Sequence, residues 1–438
     1  MQLLRLLHLA FCACVCLPFF TLNAQSQSLP KPKDVLKAMN TANNYFIDLH
    51  PDAGEPTFVH GKQRPSNLWT RGVYFEGLMA LQLIDPQDRN ADYLNEWAWA
   101  HAFTPRNGVT TRDADDYCCS QTFLDLYVDS LIDYNLTEML TPTKQCFNNL
   151  LVCERNWNDK NIPERYRHSS HYDWTWIDAI QMGLPALAKL SRVLYFDGQA
   201  NAVRYNQLGW RMYQWTRDSL AGGLFNVEEG LWYRDRDFVP PYEEPNGQHC
   251  YWSRGCGWVY AALVRTMEAQ MVGSLSIPPR YYDNLTETQW KTIPVACHFE
   301  DYKSDYLKMT EAFLKCQRKD LFWNVSLLDE SNFGGKELTG TALFVYGMAW
   351  GVRHQMLPRE RFIPIIAKTW KAMVKECLHK SGKLGYVQGT GKQPSDSQPV
   401  TYDSEPDFDD FGLGCFLLAG TEVYRLAIQE VNLSIRYE

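Results

Sequence analysis

The chain has 438 residues, 45% of them hydrophobic, and a formal charge of −8. That length allows one large domain or two ordinary ones. Acids and bases are interspersed with no basic stripe, which argues against a nucleic-acid surface and for a mildly acidic, soluble exterior.

The first residues are expected to leave the protein. Arg5 precedes the apolar run LLHLAFCACVCLPFF, followed by TLNAQSQ. This reads as a secretory leader, residues 1–24, cut after Ala24, with 25–438 as one catalytic domain. Acylation at Cys14 or Cys16 is the weaker reading, because neither has a clean small-residue lead-in. The run is too short to span a bilayer. No later stretch approaches ~18 uninterrupted apolar residues, so no membrane span is expected. Export across the inner membrane to the periplasm follows. Cys12, Cys14 and Cys16 go with the leader. The remaining cysteines, Cys118 to Cys415, form no dense disulfide framework and no CxxC with a matching histidine set. They read as small buried hydrophobes, and no metal is expected. None of these patterns speaks to oligomeric state.

Helical periodicity dominates the rest. Apolar residues recur three and four apart in GVYFEGLMALQLI, in QTFLDLYVDSLIDY and from Ile177 through Ile180, Leu184, Leu187 and Leu190. They do so again in GWVYAALVRTMEAQM, ALFVYGMAWGVRHQML, FIPIIAKTWKAMVKECL and GLGCFLLAGTEVYRLAIQ. Period-2 strand runs are few. Helices joined by alternating short and long connectors predict stacked helix pairs, an all-α architecture. Segments 273–303 and 387–410 read as insertions or loops; the second carries too many acids and prolines for a helix. NLT at Asn135 and Asn284 matches a glycosylation pattern, a weak signal.

Several helices open on an aromatic, glycine-containing segment: LWTRGVYFEG with Trp69, TWIDAIQMG with Trp176, YWSRGCGW with Trp252 and Trp258, and ELTGTALFVYG. Such clustering predicts that these helix starts face one cavity. The competing reading is that the glycines serve helix packing. Asp178 lies beyond Trp174 and Trp176 at a helix start, and a carboxylate between aromatic walls is costly unless paired, solvated or used. Asp113, Asp115 and Asp116 crowd together before a helix; taken alone they read as acids favoured by the helix dipole. Beside Asp178 they read differently. Two carboxylates in a partly dry pocket cannot both ionise cheaply, so one keeps its proton near neutral pH and can act as a general acid.

Arg254, in YWSRGCGW, is read either as a bidentate carboxylate clamp or as a structural arginine bridging helix carbonyls. Arg234 and Arg236, in LWYRDRDF, are candidates to hold an acidic sugar or a neighbouring aspartate. His168 and His171 are spaced like a metal pair, but two histidines are weak support. No P-loop, GxGxxG, GxSxG or HExxH appears.

Together, ADDYCCSQTFLDLY, WIDAIQMGLPALAKL, GLWYRDRDF, YWSRGCGW, SLLDESNFGGKELTGTALFVYGMAWG, GKLGYVQGTG and GLGCFLLAGTEVYRL resemble glycoside hydrolase family 105, the unsaturated rhamnogalacturonyl hydrolases, related to the unsaturated glucuronyl hydrolases of family 88. The resemblance runs from about Asn67 to Leu426. It implies an (α/α)6 barrel and hydration of a vinyl ether in the 4,5-unsaturated uronic acid that lyases leave at non-reducing ends. It implies that Asp178 protonates carbon 4 and then helps water add at carbon 5, with Asp115 tuning it and binding the sugar, and Asp116 as the alternative one position on. The resemblance also implies substrate contacts from Asp116, Trp69, Trp176, Arg234, Trp252, Arg254 and Trp258, with no cofactor and an oligosaccharide as the partner. Rhamnogalacturonan products lead; ulvan or arabinogalactan fragments, a polysaccharide lyase and a non-catalytic sugar-binding protein are the alternatives. Cys256 stands where the pattern usually has Asn, Ser120 where Gly is common, and Arg234 where some members have His.

Overall fold

A computed structural model describes residues 28–437 except 60–61, 131–135, 200 and 272–296. The leader, Asn135, Asn284 and most of segment 273–303 lie outside the described residues. Twelve helices of three turns or more carry the described fold. They are α1 (Pro32–Leu49), α2 (Trp69–Gln82), α3 (Asp88–Ala100), α4 (Ser120–Ser130), α5 (Thr137–Asn156) and α6 (Asp178–Phe196), then α7 (Val203–Asp218), α8 (Ser253–Gln270), α9 (Phe299–Cys316), α10 (Leu338–Arg353), α11 (Arg359–Glu376) and α12 (Phe411–Tyr437). A one-turn helix, Ala114–Tyr117, leads into α4. Three one-turn 3-10 helices, Glu164–Tyr166, Ser170–Tyr172 and Leu220–Gly222, and two short antiparallel hairpins complete the described regular structure: β1 (Thr57–Val59) with β2 (Lys62–Arg64), Thr57 opposite Arg64, and β3 (Phe225–Asn226) with β4 (Leu231–Trp232), Phe225 opposite Trp232.

The even-numbered helices pack in sequence, α2 on α4, α4 on α6, α6 on α8, α8 on α10 and α10 on α12, and α12 returns to α2. This closes an inner ring. Each odd-numbered helix lies against it from outside: α1 on α12, α3 on α2, α5 on α4, α7 on α6, α9 on α8 and α11 on α10. The fold is an (α/α)6 barrel.

Inner helices are hydrophobic nearly all round because neighbours cover every face. Leu338 to Val352 of α10 are all buried, and so is α8 apart from Glu268. Outer helices bury only one stripe. In α3 that stripe is Asn90, Tyr93, Leu94, Trp97 and Ala98. α12 is apolar and long enough to cross a membrane, yet it is mostly buried as the sixth inner helix.

The seam between α2 and α12 closes the ring. A Cβ on Gly414 would lie 2.2 Å from the Val73 carbonyl oxygen, and one on Gly77 would lie 2.6 Å from the Gly414 oxygen. Only residues without a side chain let these backbones approach so closely. At the same seam Arg71 Nε donates to Asp410 Oδ2 at 3.2 Å, both groups being buried.

The observed fold departs from the sequence reading in two places. Phe299 to Lys303, at the end of the expected loop 273–303, open α9. The outer helices α1, α3, α5, α7 and α9 escaped the periodicity search, because each buries only a narrow apolar stripe. Segment 387–410 is a loop, as expected. All ten described cysteines are free thiols.

Candidate active site

Successive inner helices are joined through outer ones, so the six inner helices point the same way. Their N-terminal ends bring Trp69, Asp115, Asp178, Arg254, Glu337 and Asp410 to one mouth of the barrel. Asp178 is the first residue of α6, with a side chain that is 11% exposed. The segment after β4 runs alongside: Trp176 bridges Asp235 across a short antiparallel contact, and Ile177 N donates to Arg234 O at 3.0 Å. That backbone pairing aims the Arg234 side chain at the helix start. Arg234 Nε donates to Asp178 Oδ2 at 3.0 Å and Nη1 to Asp235 Oδ2 at 2.7 Å. Asp235 is fixed in turn by Asp237 N at 2.8 Å.

The one-turn helix Ala114–Tyr117 packs against α6 and carries Asp115. Asp113 caps it, Oδ1 accepting from Asp115 N at 3.1 Å. Burial, then the charges of Asp113 and Asp178, push the Asp115 carboxyl up to about 8, against the opposing pull of Arg106 and Arg234. No hydrogen bond from a described side chain reaches the Asp115 carboxyl. Asp113 is itself raised, by burial first and by Asp116 second. The two carboxylates expected to cooperate therefore share one recess and feel each other's charge. Their division of labour at rest differs from the expectation: Asp178 is held in an ion pair, and Asp115 is the group that keeps a proton. Burial is the main cause at Asp115, while Arg234 hydrogen-bonds Asp178 and not Asp115.

Other expected substrate contacts lie elsewhere. Asp116 is 2% exposed and faces inward, accepting from Arg106 Nε at 2.6 Å, from Asn107 at 3.0 and 3.2 Å and from Thr111. It anchors the 106–116 loop, which offers enough donors to satisfy a buried carboxylate. Arg254 is fully buried. Its Nη1 and Nη2 each donate at 2.6 Å to the carbonyls of Gln388 and Gly389, and its guanidinium lies over the Trp252 and Phe411 rings. The structural reading holds for Arg254, with loop carbonyls as its targets. Trp252 donates Nε1 to Gln388 Oε1 at 2.8 Å, and Trp258 is completely enclosed, so both rings are core groups here. Trp174 is likewise core, tied to the Tyr117 hydroxyl at 2.8 Å. Trp69 and Trp176 keep partly exposed surface that a sugar can reach, and Trp69 meets Trp258 edge-on at 6.3 Å. His168 binds Asp173 and His171 binds Ser169; no metal-holding cluster exists among the described residues.

Sequence reasoning passed over Gln388. Its side chain ties Trp252 to the carbonyls of Gln393, Pro394 and Asp396 and so shapes the loop above the mouth. A lone Gln in a glycine-rich stretch gives no signal of this. Asp235 was legible only as one of two acids in RDRD.

A cavity of about 1020 Å3, open mouth included, lies at the opposite end of the barrel. Its lining comes from the C-terminal halves of the inner helices. Ion pairs line it, Glu76 with Arg265 at 2.6 Å and Asp125 with Lys189 at 2.5 Å. None of the expected site residues borders it.

A family model described as Glycosyl Hydrolase Family 88 matches residues 38–427. The chain belongs to Glycosyl Hydrolase Family 88. It is a glycosidase. A relative from Formosa agariphila, named an unsaturated 3S-rhamnoglycuronyl hydrolase, is 27% identical over 82% of this chain and 84% of its own. A solved family 88 structure from Bacteroides vulgatus superposes with TM-score 0.69 and 24% identity, covering 91% of this chain and 100% of that one. A possible family 105 member from Salmonella enterica serovar Paratyphi A gives 0.59 at 17% identity, covering 90% and 93%. The family 88 and 105 enzymes share this barrel, which agrees with the resemblance read from the motifs.

Proposed function

We propose that this family 88 enzyme removes a 4,5-unsaturated uronic acid from the non-reducing end of lyase-made oligosaccharides by hydrating the vinyl ether. The observation that carries the reading is the Asp115–Asp178 pair at the mouth, with a proton retained on one member and a cation on the other. The chemistry needs one proton and one water. Carbon 4 takes a proton from a carboxyl group, and positive charge builds at carbon 5 and the ring oxygen. Water adds at carbon 5 and returns a proton to the carboxylate. The hemiketal so formed opens, and the glycosidic bond breaks. A carboxyl pair holding one proton supplies both halves of this cycle without a cofactor.

For the sugar next to the uronate, rhamnose is the reading best supported. The Formosa relative is named for an unsaturated 3S-rhamnoglycuronyl end, and rhamnogalacturonan products pair an unsaturated uronate with rhamnose. Arg236, exposed and next but one to Arg234, is a cation for a sulfate on that rhamnose. The test is loss of the vinyl-ether ultraviolet absorbance over a panel of lyase-digested polysaccharides: pectic rhamnogalacturonan, ulvan and arabinogalactan. Bleaching of a uronyl-rhamnose product supports the reading. A rise in absorbance on intact polymer would show a lyase, and binding without bleaching would show a sugar-binding protein. Export to the periplasm rests on the leader 1–24, and an N-terminus at Gln25 on protein recovered from the periplasmic fraction would support it.

A further inference from the structure

Arg234 holds two carboxylates at once. Nη1 is tied to Asp235, which is 7% exposed and pinned by its own turn. Nε reaches Asp178, and Nη2 has no acceptor among the described residues. The side chain is one-fifth exposed, so an anion entering the mouth can reach it. With Nη1 anchored on Asp235, small rotations of the side chain carry Nε toward Asp178 or away from it. The groups facing Asp178 are Arg234 and Asp235 from the segment after β4, Asp115 from the one-turn helix, with Asp113 beside it, and Arg254 and Cys256 from α8. Arg254 is committed to the carbonyls of Gln388 and Gly389. The recess thus holds four aspartates, with Arg234 the cation bonded to two of them and Arg106, beside Asp115, tied to Asp116. A uronate adds a further negative charge, and like charges brought together favour proton retention.

We propose that Arg234 is a substrate-triggered positioning residue: at rest it keeps Asp178 as a paired carboxylate, and on binding it passes to the carbon-5 carboxylate of the unsaturated sugar, freeing Asp178 to take the proton from Asp115 and hand it to carbon 4. The proton passes from the Asp115 hydroxyl to an Asp178 oxygen through water in the open recess, since no direct hydrogen bond joins the two, and then forms the new C–H bond at carbon 4. Water loses a proton to Asp178 as its oxygen bonds carbon 5, and that proton returns to Asp115 when product leaves and Arg234 swings back. Nothing is oxidised or reduced. The proton donor is assembled only when a carboxylate occupies the sugar site, so the enzyme selects for uronates in the chemical step as well as in binding. This inference rests on the hydration reading above.

The test uses the full-length mature enzyme, Arg234→Gln and Arg234→Lys. The substrates are an unsaturated uronyl-rhamnose disaccharide and the same sugar with its carboxylate reduced to hydroxymethyl. The wild type is expected to lose at least about tenfold in kcat on the reduced sugar, equivalent to one pKa unit at the donor. In Arg234→Gln the two sugars are expected to react with kcat values within about threefold of each other, with KM for the uronate raised. Loss of the cation also moves the basic limb of the pH profile up by about one unit. Arg234→Lys keeps the charge and restores the wild-type limb. If Arg234→Gln raises KM alone, leaving the kcat ratio and the limb as in the wild type, Arg234 is a simple binding group and the inference is overturned. A wild type that bleaches neither sugar nor any other unsaturated uronide overturns the hydration reading itself, a separate and recognisable result.

Discussion

Asp178 and Asp115 are four-atom side chains whose usefulness depends on neighbours a few ångströms away. Asp178→Asn removes the carboxyl group proposed to protonate carbon 4 while keeping its shape. Turnover is expected to fall by about 10²–10⁴-fold, with substrate still bound, as measured by steady-state kinetics and calorimetry. Undiminished turnover would end the assigned role. On the proposed reading, Asp115 is expected to set the basic side of the pH profile. Its carboxyl is pushed up to about 8, so activity that needs its proton is lost as pH rises through that value. Stability follows the same sign. The unfolded chain releases this proton near ~4 and the folded one near 8, so between those pH values folding carries an increasing penalty. Asp115→Asn has no proton to lose. Its Tm is expected to gain on the wild type from pH 4 to pH 8, by on the order of 5 °C, and to level off above. A Tm difference that stays flat with pH would show that Asp115 is not held protonated.

The loop 387–410 depends on one buried cation. Arg254 bridges the Gln388 and Gly389 carbonyls from the first turn of α8, under Trp252 and Phe411. In α10 the corresponding helix start is closed by Glu337, which accepts from Thr339 N at 3.0 Å and Gly340 N at 2.7 Å and also from Gln388 N at 3.4 Å. The two helix starts therefore hold opposite sides of the same loop segment. Arg254→Met keeps the volume and leaves two carbonyls unpaired. It should cost about 3 kcal/mol in urea unfolding and expose 387–410 to proteolysis. Wild-type stability in this variant would show that the carbonyls find other donors. Periodicity identified all six inner helices because their apolar positions run on without interruption. Among outer helices it found α11 alone. It could not tell which tryptophans at the helix starts turn inward: the aromatic signature is the same for Trp176, with surface to offer, and for Trp252 and Trp258, with none.

Closing twelve helices into a ring places one demand on the last contact. α12 must meet α2 at backbone distance, through Gly77 and Gly414, with the Arg71–Asp410 pair buried beside them. Gly414→Ala puts a methyl against the Val73 carbonyl, which belongs to a helix and cannot move aside. Destabilisation of about 1–3 kcal/mol is expected from the shift in thermal or urea unfolding, with a cooperative single transition if the ring unfolds as one body. A neutral result would mean that the seam opens without cost. The opposite mouth is lined by paired charges, Glu76 with Arg265 and Asp125 with Lys189.

Much of this protein was legible in its amino acids alone: the inner helices, the loop after Val387, the aromatic helix starts, and Asp115 and Asp178 as the acids to watch. Those features are local, set by spacing, by proline and by charge along the chain. The ion pair that holds Asp178 and the burial of Arg254 away from substrate were decided by residues distant in sequence, whereas Asp116 turns inward onto its own loop, to Arg106, Asn107 and Thr111. Arg234 lies 56 positions from Asp178, and Gln388 lies 134 from Arg254. Protonation and burial depend on what stands within a few ångströms, and only closure of the barrel brings those partners together.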